Sequence, residues 1–259
     1  MLALTTDQIS SWAGAFFWPF IRIAAMMMAA PIFGARVFPT RVRIAIALVL
    51  SLVIAPMLPA GPHVDGISLQ NLNIIAQQIL IGVSIGFAIQ TVFQSLVIAG
   101  ETIANSMGLG FARMMDPANG VQVPVVSQFL IIMATLLFVV LNGHLMLIHL
   151  VVQSFEIIPV GAQGLSQASL WKMANIGSLM FAGGLMVAIP AVTALLVVNI
   201  AMGVVTRAAP QLNIFAVGFP LMILLGFIFL AASAPVIFSQ FSHMLMQGFD
   251  NLRDILALK

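Results

Sequence analysis

Long apolar runs separated by short connections dominate the chain, covering residues 12–33, 42–60, 72–100, 125–152, 173–206 and 212–239. Each is near or above the ~20 residues that carry a helix across a bilayer. The pattern therefore predicts an all-α, integral-membrane-type protein with about six long apolar segments. The third, fourth and fifth runs exceed one crossing, and Pro19, Pro56, Pro190, Pro220 and Pro235 fall inside runs. Proline removes a helix hydrogen bond, and at membrane depth only protein or a water-filled cavity can satisfy the freed carbonyl. Several segments are thus expected to be broken by proline into hairpins packed against protein. Beyond about residue 241, Met244, Leu245, Phe249, Leu252 and Ile255 alternate with His243, Gln247, Asp250, Arg253 and Asp254. That spacing predicts a short amphipathic tail helix within 241–259, lying on a membrane or partner surface. No second domain is visible, so 1–259 is expected to be a single domain.

One connection differs in kind from the rest. Residues 106–123 read SMGLGFARMMDPANGVQV. Gly108, Gly110 and Gly120 loosen the backbone and Pro117 blocks a continuous helix, while Asp116-Pro117 and Asn119-Gly120 are turn pairs. Yet Met107, Leu109, Phe111, Met114 and Met115 are large and apolar. A sticky, flexible loop left in water is an aggregation hazard, so something must bury it. Either it packs on its own helices, or it serves as a compliant seal, a role suited to unbranched Met side chains.

Composition narrows the class. The chain is 62% hydrophobic and 6% charged, with a mean hydropathy of +1.16. Soluble domains carry about 25% charged residues. A net charge of +2 without a basic cluster gives no case for nucleic acid. The absence of Cys excludes disulfides, thiolate metal sites and a Cys nucleophile. The first charge is Asp7, so the N-terminus does not read as a cleavable signal. Arg36, Arg41 and Arg43 crowd the first connection, Arg113 lies in the third and Arg207 in the fifth. The positive-inside bias puts these connections in the cytoplasm and both termini outside.

Catalytic chemistry is poorly supplied. Gly82-Val83-Ser84-Ile85-Gly86 matches G-x-S-x-G, but inside an apolar helical run with no strand nearby. Gly82 and Gly86 also read as G-x-x-x-G, a helix-packing pattern. His144 and His149 are five apart and do not share a helix face as a zinc pair four apart does. No nucleotide-binding fingerprint is present, and no cofactor or metal is expected. Arg22, mid-way along the first run, costs about 2.5–3.5 kcal/mol if unpaired on insertion scales, so it needs a carboxylate, a carbonyl cluster or water. Glu101 is one available partner, and the residue reads either as a polar lining or as a buried structural pair. An ion-coupled secondary transporter of a small solute is the competing function. Its coupling groups would have to come from Arg22 and Glu101, because nearly all carboxylates lie at segment ends.

Three blocks then carry a resemblance. Residues 100–120, GETIANSMGLGFARMMDPANG, with Leu141-Asn142-Gly143-His144 and residues 199–221, NIAMGVVTRAAPQLNIFAVGFPL, resemble the FliR family of flagellar type III export proteins and its injectisome counterpart, SctT. The resemblance implies a core subunit of the export gate in the bacterial inner membrane, at the flagellar basal body. It implies FliP and FliQ as partners in a hetero-oligomer, FlhB and FlhA nearby, and unfolded protein substrates in transit. It further implies that the loop matching residues 107–122 plugs the central pore, with Met107, Leu109, Phe111, Met114 and Met115 as its contacts. Gly108, Gly110 and Gly120 would then be hinges. Arg113 and Asp116 in the loop, with Arg22 and Glu101, are expected in polar or charged packing. So are Arg207, Gln211 and Asn213, where the last two long helices join. That junction reads either as a plain connection or as a partner contact, and the contact reading is favoured.

Overall fold

The computed structural model describes residues 6–35, 38–58, 62, 68–110, 124–161, 163–209 and 214–256, with side chains from residue 14 in the first helix and from 217 in the last. Among these residues the secondary structure is helical without strands. The order is α1 (Thr6–Ala29), α2 (Thr40–Ile54) with a 3-10 turn (Ala55–Met57), α3 (Leu69–Ser106), α4 (Val125–Val140), α5 (Gly143–Ile157), α6 (Gln167–Ala208) and α7 (Ile214–Ile255). The all-α, membrane-type architecture follows the apolar runs.

Details of the segmentation differ from the sequence expectation. Four helical stretches among the described residues are long and apolar enough to cross a membrane, or five if α4 and α5, bent by 65°, count as one. α1 spans 24 residues, and the part of it described with side chains, Gly14–Ala29, is apolar. The prolines do not divide the helices: Pro19, Pro190, Pro220 and Pro235 lie inside α1, α6 and α7, and Pro56 sits in the 3-10 turn. The break falls instead at Asn142, which adopts a left-handed conformation with φ 57°, one that Asn tolerates better than most residues. Gly143 follows because a Cβ there would run into the ring of buried Phe138. The tail is no separate helix either. Residues 241–255 continue α7, and their apolar face, with Phe241, Leu245, Phe249 and Leu252, is buried within the chain.

The chain forms two compact units. The first comprises Met1–Thr91, Phe138–Gly177 and Met246–Lys259. Here α3 lies directly on α1. A Cβ at Gly82 would strike the Arg22 carbonyl oxygen, and one at Gly86 would sit 2.6 Å from both Ala30 N and Met26 O. The G-x-x-x-G pair thus brings two helix backbones into contact. Trp18 Nε1–H donates to Pro62 O at 2.9 Å. After α1 the chain turns through Ile32 at φ 68°, with Phe33 N–H donating to Pro31 O at 2.8 Å. This is a strained γ-turn for a β-branched residue.

The second unit comprises Val92–Leu137 and Ser178–Leu245. α3 meets α6 where a Cβ at Gly184 would lie 2.7 Å from Ser95 O and 2.9 Å from Ile98 Cβ. Phe93 and Phe241 pack edge to face at 5.5 Å. Half of the apolar window of α3 is buried, against 22% for α6 and α7 and 17% for α2 with its 3-10 turn. The surfaces of α2, α6 and α7 therefore need an apolar phase from outside the chain.

Candidate functional site

The unusual loop begins in the second unit, where the end of α3 is closed by a specific stop. Leu109 N–H donates to Ala104 O and Gly108 N–H to Asn105 O, both at 3.0 Å, and Gly108 has φ 82°. This is the Schellman arrangement, with glycine at the left-handed position after the helix cap. Met107, the cap residue, is 0% exposed. Its side chain lies over Gly226 of α7, where a Cβ would come within 2.5 Å of Met107 Cγ, 2.6 Å of Cε and 2.8 Å of Sδ. Gly108 thus ends a helix, and Met107 is packed inside the unit.

The far end of the loop is tied to the same helix. α4 starts just after Pro124, and Ser127 Oγ donates to Val97 O at 3.1 Å. At that crossing a Cβ on Gly100 would lie 2.5 Å from Ser127 Cα and 2.7 Å from Ser127 N. Backbone rests on backbone, which only glycine allows. Both roots are therefore held by α3, one additionally by α7. Leu109 and Gly110 are half-buried at the loop's start. Phe111, Arg113, Met114, Met115, Asp116 and Gly120 lie outside the described residues, as do Gln211 and Asn213. Arg207 is exposed in the last turn of α6, where a cation favours the helix dipole.

Arg22 belongs to the first unit. It is fully buried, and its partners are neutral. Nε donates to Gln78 Oε1 at 2.8 Å, Nη1 to Ser154 Oγ at 3.0 Å and Nη2 to Ile158 O at 2.8 Å. The guanidinium lies 4.0 Å from the centre of the Phe155 ring. Ser154 and Ile158 mark the C-terminal end of α5, so the cation faces the negative end of a helix dipole and the π face of a ring. Among the described residues no carboxylate reaches it. Sequence reasoning missed Gln78, Ser154 and Phe155. Gln78, a polar residue inside an apolar run, was the available signal. It also missed Gly226, which has no turn to explain it. Ser84 Oγ donates to Leu80 O of its own helix at 2.6 Å and is buried, so G-x-S-x-G presents no nucleophile.

Fold and site together define a class: an all-α, membrane-type protein with more apolar surface than its own core uses, in which α3 holds both roots of one connection. The chain matches the family model of bacterial export proteins, family 1, over residues 13–248. It is 40% identical over 257 residues to the flagellar biosynthetic protein FliR of Escherichia coli (strain K12), covering 99% of this chain and 98% of that one. It is 40% identical over 257 residues to FliR of Pectobacterium carotovorum subsp. carotovorum, with the same coverage. To FliR of Bacillus subtilis (strain 168) it is 31% identical over 247 residues, covering 94% and 95%. The chain belongs to this family, that of the FliR flagellar biosynthetic proteins. It is a structural component of flagellar export, associated with the membrane, and not an enzyme.

Proposed function

We propose that this protein is a core subunit of the flagellar type III export gate, and that the loop at 106–123 plugs its translocation pore. The pore is completed by FliP and FliQ homologues, with FlhB and FlhA alongside, in the bacterial inner membrane at the basal body. The observation that carries this reading is the pair of fixed roots. A glycine- and methionine-rich segment of irregular sequence is held at one end by Met107 and Gly108 and at the other by Ser127 on Gly100. A conduit for unfolded chains must pass any side chain yet hold back ions between substrates. Met and Phe on a soft segment repack around different shapes, and closing them away from water yields about 25 cal/mol per Å².

The outward apolar faces of α2, α6 and α7 support a hetero-oligomer, because a subunit completed by neighbours leaves such faces uncovered when alone. The solute-carrier alternative needs titratable groups or ion ligands within the membrane, and Arg22 is taken up by neutral partners in the packing of the first unit. The test is deletion of residues 109–122, which leaves Met107 and Gly108 in place. The expected result is a complex that still assembles with its FliP and FliQ homologues but leaks small ions. Normal assembly with unchanged permeability rejects the plug.

A further inference from the structure

Gly226 lies far from the loop in sequence and in the middle of an apolar helix, where glycine weakens the helix relative to alanine. No turn or positive φ accounts for it: α7 is a continuous helix from Ile214 to Ile255. What accounts for it is Met107. The three closest atoms to a Cβ built on Gly226 all belong to that side chain. Met107 is 0% exposed, and Gly226 is buried as well. The residue after Met107 is the left-handed Gly108, from which the chain leaves α3. The buried seat of Met107 and the left-handed residue at which α3 ends are therefore neighbours in the chain.

We propose that Gly226 is a positioning residue for the plug: it is the notch on α7 that receives Met107 and so fixes the root from which the loop extends. The inference rests on the plug reading and adds a residue to it. It also couples the plug to α7, so a displacement of α7 at this level moves the root. The seat suits fine positioning without being essential to folding, because a flexible thioether can turn aside from an added methyl group. A backbone atom in the same place could not.

The experiment is a bump-and-hole cycle in the assembled export complex, read as small-ion permeability of cells, with assembly checked by co-purification. Gly226→Val fills the notch and displaces Met107. Met107→Ala empties it and cannot clash. Each single variant is expected to raise the leak at least threefold over wild type. The double variant, in which the valine occupies the space vacated at 107, is expected to return the leak to within twofold. Gly161→Ala, in the connection between α5 and α6, where the added methyl meets nothing within 4 Å, serves as the silent control. If Gly226→Val does not assemble, Met107→Ala alone decides. Wild-type permeability in Met107→Ala, beside a leaking 109–122 deletion, overturns the seat and leaves the plug standing. A double variant that leaks as much as its parents also overturns it. A deletion that does not leak overturns the plug reading itself.

Discussion

Replacing Arg22 by Met tests whether the neutral cluster around that cation holds the first unit together. Three donors are lost at once, to Gln78 Oε1, Ser154 Oγ and Ile158 O. The losses are unequal. Ser154 keeps its own bond to Val151 O at 2.6 Å, and the Ile158 carbonyl is only partly buried, so water relieves part of that debt. Gln78 is 0% exposed, and its carbonyl is left with nothing, at about 1–3 kcal/mol. Loss of the contact over Phe155 adds about 1 kcal/mol. Against these, the variant no longer buries a charge, a gain that offsets part of the total. The expected net destabilisation is about 2–4 kcal/mol. Gln78→Leu alone should cost a similar amount, because it orphans the Nε–H of a buried cation. The double variant, Arg22→Met with Gln78→Leu, removes donor and acceptor together and should lie within about 1.5 kcal/mol of wild type. Trp18, buried one helical turn before Arg22, reports this unit by fluorescence in a denaturant titration in detergent, with Trp12 and Trp171 changed to Phe. Single variants within about 0.5 kcal/mol of wild type, or a double variant equal to the sum of its parents, would refute the account.

Gly86→Ala places a methyl group 2.6 Å from Met26 O and Ala30 N. Backbone cannot yield there as a side chain does, so a loss of more than about 2 kcal/mol is expected, while Gly177→Ala should be neutral or stabilising by up to about 1 kcal/mol. Protease resistance of the two variants in membranes separates them. Ile32→Gly removes a strained φ of 68° worth about 1–3 kcal/mol but adds freedom to the unfolded chain, so it should match or exceed wild type in the same denaturant titration. Gly34→Ala, two residues on, meets Met28 O and Ala30 O at 2.7 and 2.8 Å and should be clearly destabilised in that assay.

The helical class could be read directly from the apolar runs, because stretches of 20 or more such residues have few other stable forms. That α3 packs closely on another helix was equally plain in Gly82 and Gly86, but nothing in the sequence named α1 as that helix. The breaks were not. Proline signals a lost hydrogen bond, yet α1, α6 and α7 carry their prolines within continuous helices. Asn142-Gly143 marks the bend because Phe138 covers the glycine, a contact no local pattern announces. The change to an amphipathic pattern near Phe241 marks where α7 acquires one buried and one exposed face, with no helix end there. Arg22 was read as needing a carboxylate, a carbonyl cluster or water, and its partners in the structure are neutral. A helix end, an amide and a ring supply the same stabilisation, and of these only the amide, Gln78 inside an apolar run, left a signal in the sequence. Met107 was read as a contact of the plug, and its seat on Gly226, 119 positions away, could be found only in three dimensions.

Fixed roots turn loop length into a measurable constraint. Between Gly108 and Pro124 lie 15 residues. A chain of that size held at both ends must go out and back, so at ~3.4 Å per residue its tip lies no farther than about 25 Å from the roots. Each pair of residues removed shortens that limit by about 3.4 Å. Deleting Ala118 and Asn119, then Asp116 to Gly120 minus Pro117, leaves Phe111, Met114 and Met115 intact while drawing the tip back. If the loop seals a pore by reaching across to it, ion leakage should be near wild type until the reach fails and then rise steeply, with glycine-serine insertions at 118 restoring closure. Leakage that stays at the wild-type level through both deletions, in complexes that assemble normally, would mean that no such reach is required, and the seal would have to be sought elsewhere in the assembly.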